Sequence, residues 1–320
     1  MSKTIPSATI EELSPPNKNY QYFENFTKHP FKYKSEHFQM VNAWWLAESS
    51  LLAYAESDFA KEHFSAAGLT AELFSGKSTQ CYVAHNDNFV IVAFRGTQVN
   101  DFRDIVRDVY INAKFNLVDS EQGGFVHQGF KEGLNEIWSN LLNHLNQLKT
   151  EKPERTFWFT GHSLGAALAT LAADRYGSVQ GLYTFGSPLV GDDAFSNDFS
   201  VNTYRFVNNN DFITLIPYRI PLPEISLFGI SLPEIFRIRR YQHVGQLKYL
   251  DSNGHIIDNP NLWNRLVDSW KGQFGQLFHL SGQLREGWIK EIPVDNLTDH
   301  APIYYAIHIW NNYKQDLTFN

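Results

Sequence analysis

Apolar positions recur along this chain with two different periods, and the switches between them outline the fold. From Thr79 to Ala84, and again across Phe89-Val90-Ile91-Val92-Ala93-Phe94, they come at strand spacing around an Asn86-Asp87-Asn88 turn, which predicts a hairpin. The second strand is apolar on both faces, as expected deep inside a sheet. A helix is predicted over about Gln39 to Glu56. From Phe130 to Leu148 the period is helical, with Phe130, Leu134, Ile137, Trp138, Leu141, Leu142, Leu145 and Leu148 on one face. Thr156 to Thr160 then reads as a strand, Leu164 to Asp174 as an alanine-rich helix, and Gly181 to Phe185 and Thr203 to Val207 as further strands. Short apolar strands alternating with helices predict an α/β fold: a predominantly parallel central sheet covered by helices on both faces.

Composition narrows this picture. A chain of 320 residues, 43% apolar and 15% aromatic, is long enough for one large domain with a full core. Residues 1–19, with Pro6, Pro15 and Pro16 among polar neighbours, read as a loose tail, and residues 20–320 as a single domain. The N-terminus lacks the apolar core of a signal peptide. The most apolar stretch, Leu215 to Ile238, is broken by Pro217, Pro221, Pro223 and Pro233, which excludes an ordinary membrane-spanning helix. The expectation is a soluble protein, either cytoplasmic or exported by a non-classical route. The net charge of −7 argues against a nucleic-acid partner. A single cysteine, Cys81, permits neither an internal disulfide nor a cysteine-based zinc site, and is read as a small buried apolar residue. No H-E-x-x-H or comparable cluster appears and the 12 histidines are dispersed, so neither metal nor cofactor is expected.

Gly161-His162-Ser163-Leu164-Gly165 fits G-x-S-x-G between a predicted strand and a small-residue helix. At such a turn the serine takes a strained backbone conformation, its hydroxyl stands clear of the sheet, and the next N–H, from Leu164, faces a developing oxyanion. A serine hydroxyl needs an imidazole to take its proton and an acid to orient that imidazole. Asp211, on the loop after the Thr203 to Val207 strand, is the favoured acid, with Asp192 and Asp193 as rivals that turn or cap chemistry also explains. The base lies among His243, His255, His279, His300 and His308. The loop-edge position of His300, before the Ala301 to Trp310 helix, suits it best, although these positions alone do not single it out.

With these residues in hand, the chain resembles the class 3 (fungal-type) lipase family of α/β-hydrolases over most of residues 40 to 315. The blocks that carry the likeness are Phe94-Arg95-Gly96-Thr97, Val126-His127-Gln128-Gly129-Phe130, the Ser163 turn, Thr184-Phe185-Gly186-Ser187-Pro188 with Val190-Gly191-Asp192, Asn210-Asp211 with Ile213 and Pro217, Tyr241-Gln242-His243-Val244-Gly245, and Asp299-His300 with Tyr304 or Tyr305. The resemblance implies Ser163 as nucleophile, Asp211 as acid and His300 as base. It implies Thr97 as a second oxyanion donor beside Leu164, and supporting roles for Asp192, His243, His127 and His162.

The family usually carries a mobile cover after the Thr97 position. Here Val99, Phe102, Ile105, Val106 and Val109 recur at helical spacing opposite a charged face, so a lid helix or a permanently docked surface helix is expected. Relative to the family, the chain carries insertions near 216–240 and 259–292. The first repeats Leu-Pro-Glu-Ile at 222–225 and 232–235 and ends on Arg237, Arg239 and Arg240, consistent with transient lipid-surface contact or with a packed hairpin. The reaction expected is hydrolysis of lipid carboxylic esters through an acyl-enzyme. An imidazole base must be neutral to act, so activity is expected to fall below about pH 6 to 7. Phospholipase A1, other carboxylesterase and acyltransferase activities use the same triad, and a regulatory module on a hydrolase scaffold is the non-catalytic alternative.

Overall fold

A computed structural model describes residues 2–97, 117–215, 241–257 and 298–319. In chain order the elements that build the body are helices α1 (Met40–Leu52) and α2 (Ser57–Ala66), strands β1 (Thr70–Ser75), β2 (Gln80–His85), β3 (Phe89–Phe94), β4 (Leu117–Asp119) and β5 (Phe125–His127), helices α3 (Gln128–Asn135) and α4 (Trp138–Glu151), strand β6 (Thr156–His162) and helix α5 (Leu164–Tyr176). Strands β7 (Gly181–Phe185) and β8 (Gly191–Asp192), helix α6 (Asp193–Asp198), strands β9 (Thr203–Asn208), β10 (Tyr241–Gln242), β11 (Gln246–Leu250) and β12 (Ile256–Ile257), and helix α7 (Pro302–Phe319) follow.

The two-face apolar pattern of the central strands has a direct structural counterpart. The main sheet runs β1-β2-β3-β6-β7-β9-β11-β12, parallel from β3 through β11 and antiparallel at both ends. Successive strand residues point to opposite faces. In β3, Ile91 and Ala93 therefore enter the layer under α1 and α7, while Val90, Val92 and Phe94 enter the layer under α3, α4 and α5. Trp158 and Phe159 of β6 divide in the same way. This is the α/β arrangement that the periodicity predicts, with a mixed sheet. A smaller antiparallel sheet, β10-β8-β5-β4, lies beside it.

Helix α5 is buried from Gly165 to Ala173, which explains its small residues: a helix squeezed between strands and other helices has no room for longer ones. Gly177, with φ of 71°, ends it.

Two expectations need correction. The apolar face from Phe130 to Leu148 is shared by two helices. The N–H groups of Glu136 and Ile137 turn back to the carbonyls of Gly133 and Leu134, a tight three-residue closure. The Glu136 carboxylate then accepts the N–H groups of Ser78 and Thr79, at 2.8 and 3.1 Å. Hydrophobic period alone cannot register such a break, because the buried face continues through it. The N-terminal segment, expected to be loose, is docked. Lys3 and Asn311 exchange two hydrogen bonds, at 2.7 and 2.9 Å, Tyr304 donates to the Pro6 carbonyl, and Leu13 is buried. Prolines and polar residues look like tail composition, but their backbone groups here find partners on α7.

Candidate active site

Strand β6 runs into α5 through Ser163, whose φ of 59° and ψ of −129° lie where a residue with a Cβ is strained. The surroundings hold it there. The Ser163 N–H donates to the Phe185 carbonyl of the neighbouring strand at 2.9 Å, and its own carbonyl accepts from Ala166 at 2.9 Å. Gly165 permits the close approach of α5, since a Cβ there would press into the Phe94 carbonyl and sit 2.9 Å from the Gly96 nitrogen. The same contact lays the 94–97 segment along the first turn of α5, so Thr97 follows directly on it. The Leu164 N–H, first in the helix, has no intrahelical acceptor and is available to an anion.

Asp211 lies beyond the end of β9, after Asn209, which adopts φ of 38°. Its side chain is completely buried, and its oxygens lie 2.8 and 2.9 Å from His300 Nδ1. The Ile213 N–H and the Tyr305 hydroxyl also donate to it, at 3.1 and 2.5 Å. His300 precedes α7, and its loop is clipped to the acid's loop. The Asp299 carboxylate accepts from Asn209 Nδ2 and the Asn210 N–H, while the Asp299 carbonyl accepts from Asn208 Nδ2. Gly186, with φ of 59°, passes beneath the pair; a Cβ there would sit 2.8 Å from Asp211 Oδ2 and 3.0 Å from the His300 ring.

A carboxylate can only accept, so His300 Nδ1 carries the donated proton and the neutral ring leaves Nε2 as an acceptor. Ser163 Oγ and His300 Nε2 are both buried with no hydrogen-bond partner, and the buried Thr97 Oγ1 is likewise unpartnered. Buried polar atoms are seldom left unsatisfied, and clustered exceptions mark places where a ligand or reaction completes them.

His162 stacks beside His300, with ring centroids 4.5 Å apart. Its Nε2 donates to the His300 carbonyl at 2.6 Å, so its Nδ1 accepts from the Tyr54 hydroxyl at 2.8 Å. Burial lowers its pKa well below the ordinary imidazole value, which keeps this tautomer neutral. The ring serves as a rigid prop under the backbone of His300.

The rival residues have other occupations. Asp192 caps α6 through Phe195 N–H and also accepts from Phe125 N–H, while Asp193 is exposed. His127 caps α3 by accepting from Phe130 N–H and stacks on the Phe130 ring. His243 Nε2 donates to the Thr214 carbonyl, His255 is exposed beside Asp251, and His308 is half-buried on α7. His279, the expected lid residues Val99, Phe102, Ile105, Val106 and Val109, and the insertions at 216–240 and 259–292 lie outside the described residues. Sequence reasoning missed Tyr54 and Asn208, because their partners lie 108 and 91 positions away and no local pattern marks them.

Residues 91–220 match the family model described as Lipase (class 3). Over 183 residues the chain is 33% identical to the secreted mono- and diacylglycerol lipase 1 of Fusarium solani, which covers 53% of this chain and 51% of that protein. It is 34% identical to the lipase of Rhizomucor miehei over 155 residues, 43% of this chain and 41% of that one. The chain thus spans about half the length of the relatives it matches. The solved structure of the Rhizomucor miehei triacylglyceride lipase superposes with a TM-score of 0.51 at 22% identity, over 67% of this chain and 80% of that one, a likeness of fold. The match begins within β3 and takes in the Ser163 turn and the Asp211 loop, so the similarity to class 3 lipases falls on the part of the chain that carries both.

Proposed function

We propose that this chain is a serine hydrolase that cleaves carboxylic esters of lipids through a Ser163-Asp211-His300 triad. The observation that carries the reading is the buried, multiply hydrogen-bonded Asp211–His300 pair beside a strained serine, with Ser163 Oγ and His300 Nε2 both lacking partners. The names of the relatives, mono- and diacylglycerol lipases and a lipase, support acylglycerol esters as the substrate class.

In the reaction, Ser163 Oγ attacks the ester carbonyl carbon while His300 Nε2 takes its proton. Asp211 stabilises the resulting imidazolium without itself taking the proton. The carbonyl oxygen becomes an oxyanion and is met by the N–H groups of Leu164 and Thr97. Collapse of the tetrahedral intermediate breaks the bond to the alcohol oxygen, which leaves with the proton from His300. Water, deprotonated by the same imidazole, then hydrolyses the acyl-serine and restores the enzyme. The apolar residues expected between Val99 and Val109 would meet the acyl chain or a lipid surface.

Hydrolysis of p-nitrophenyl esters from acetate to palmitate, compared between the native chain and Ser163→Ala, tests this. Turnover should fall by roughly 10⁴-fold or more in the variant, with native rates highest on the longer esters. Full activity in Ser163→Ala would sink the assignment of the nucleophile. Failure of the native chain to cleave any ester would bring the non-catalytic reading forward.

A further inference from the structure

Far from Ser163, the fold gathers three residues that can hold a metal ion. Glu72 lies on β1, the edge strand of the main sheet; His85 ends β2; His144 lies on α4. In the β1–β2 register Glu72 faces Val83 and Thr70 faces His85, so Glu72 and His85 are diagonal neighbours on one face. Val83 packs in the layer beneath α4, so this is the face that His144 meets. One nitrogen of each imidazole and one carboxylate oxygen all lie within 4.8 Å of one another. His144 Nδ1 is 3.9 Å from Glu72 Oε2, and the two imidazole centroids are 6.2 Å apart.

The nitrogens are poorly served as the protein stands. His85 Nδ1 and His144 Nε2 are buried without a hydrogen-bond partner. Each neutral ring carries one acceptor nitrogen, and with the nearby carboxylate these make a ligand set that a cation satisfies and a hydrophobic contact does not. We propose that Glu72, His85 and His144 form a site for a divalent transition metal, with Zn²⁺ the ion best suited, that clamps the edge hairpin to α4.

Two imidazoles and one carboxylate are borderline donors that suit zinc, and three protein ligands leave a fourth position for water. Ligand atoms around tetrahedral zinc stand about 3.3 Å apart for bonds of about 2.05 Å. The side chains therefore close by at most about 1.5 Å, a movement within reach of Glu72, whose side chain is 52% exposed. Arg155 does not oppose a cation here with its full charge, because Glu151 and Asp87 pair with it at 3.3 and 3.9 Å.

The site is remote from the triad. His85 opposes Val90, and Val90 opposes Phe157 in β6, six residues before Ser163. That places it about 20 Å away along the strands, at their opposite end. Its expected effect is on stability: binding to the folded state alone raises the melting temperature by mass action, and the clamp holds down β1, an edge strand among the described residues.

The test is calorimetric titration of the untagged full chain with Zn²⁺ near neutral pH, paired with thermal melts in Zn²⁺ and in a chelator. One ion per chain should bind, the melting temperature should rise by several degrees, and Glu72→Gln and His144→Gln should each weaken binding by at least about 10-fold. Their melts in chelator report whether the variants fold. Zinc-edge X-ray absorption of the native chain supplies a second reading that needs no variant, with two imidazole ligands expected. No binding by the native chain, equal binding by folded His144→Gln, or fewer than two imidazoles would each overturn the proposal.

Discussion

Asp211 is surrounded by donors, and each constrains what its carboxylate can do. Tyr305 contributes the shortest of these hydrogen bonds, 2.5 Å to Oδ2, while accepting the Asn208 N–H at 3.0 Å. Burial, together with the adjacent Asp211 charge, pushes the Tyr305 pKa well above its ordinary value, so the hydroxyl keeps its proton and remains a donor. Tyr305 thus holds the Asp211 carboxylate in place, and under the proposed mechanism it is a positioning residue. Replacing it with phenylalanine should lower kcat about 10-fold, the scale of one hydrogen bond to a charged group, and leave KM unchanged. Steady-state kinetics on a soluble ester checks this; an unchanged kcat would mean that His300 and Ile213 alone suffice to orient the carboxylate. At this scale Ser163 was legible beforehand, because a strained strand-to-helix turn requires a local glycine pattern. Tyr54, which orients His162, was not, because a hydrogen bond across 108 positions leaves no local trace.

The elements place these residues by means of caps and breaks that hydrophobic period does not encode. His127 is a case in which a titratable ring does the work of a cap. It is buried at the start of α3, accepts from Phe130 N–H, and burial lowers its pKa to about 4 from an ordinary 6.5. As pH falls through that window the unfolded chain takes up a proton before the folded chain does. The stability it contributes is complete above pH 6.5 and is lost on descending toward pH 4. His162 and His243, lowered well below the ordinary value by burial, add losses of the same sign. Between pH 7 and pH 5 His127 alone should cost about 2 kcal/mol. His127→Asn, which retains a good capping group, should remove that part of the slope. Urea unfolding at the two pH values measures it, and an identical slope in native and variant chains would show that His127 is not held neutral. The break at Glu136 is of the same kind. A helix of continuous apolar face was expected, and the competing backbone N–H groups of Ser78 and Thr79, distant in sequence, explain why the axis turns there.

Across the whole molecule, long-range contacts tie the chain's beginning to its end. Lys3 pairs with Asn311, its ammonium lies 3.6 Å from the buried Glu48, and Leu13 joins the core beneath α1 and α7. Helix α7 also carries Tyr305 and follows His300, so the N-terminal segment braces the element that anchors His300. Deleting residues 2–13 should destabilise the protein by about 2 to 4 kcal/mol, from the lost leucine burial and the Glu48 charge left with fewer partners. Thermal melting of the truncated chain checks the magnitude, and a melting temperature within a degree of the native one would indicate that the segment merely rests on the surface.

The order of strands and helices, the two-faced central sheet, the Ser163 turn and the preference for Asp211 could all be read from residue types at short spacings. They depend on periods and turns that a few consecutive residues impose on the backbone. Choosing among five histidines could not be done that way. His300 lies 89 positions from Asp211, and their meeting depends on how β9 and α7 pack, on the Asp299 clip and on the space left by Gly186. The twelve histidines look dispersed along the chain, yet folding brings two of them to Glu72 from different elements. A local pattern specifies an element because its forces act within a few residues. A site assembled from separate elements exists only once the sheet is closed and its layers are packed, because the groups that complete it are neighbours in space alone.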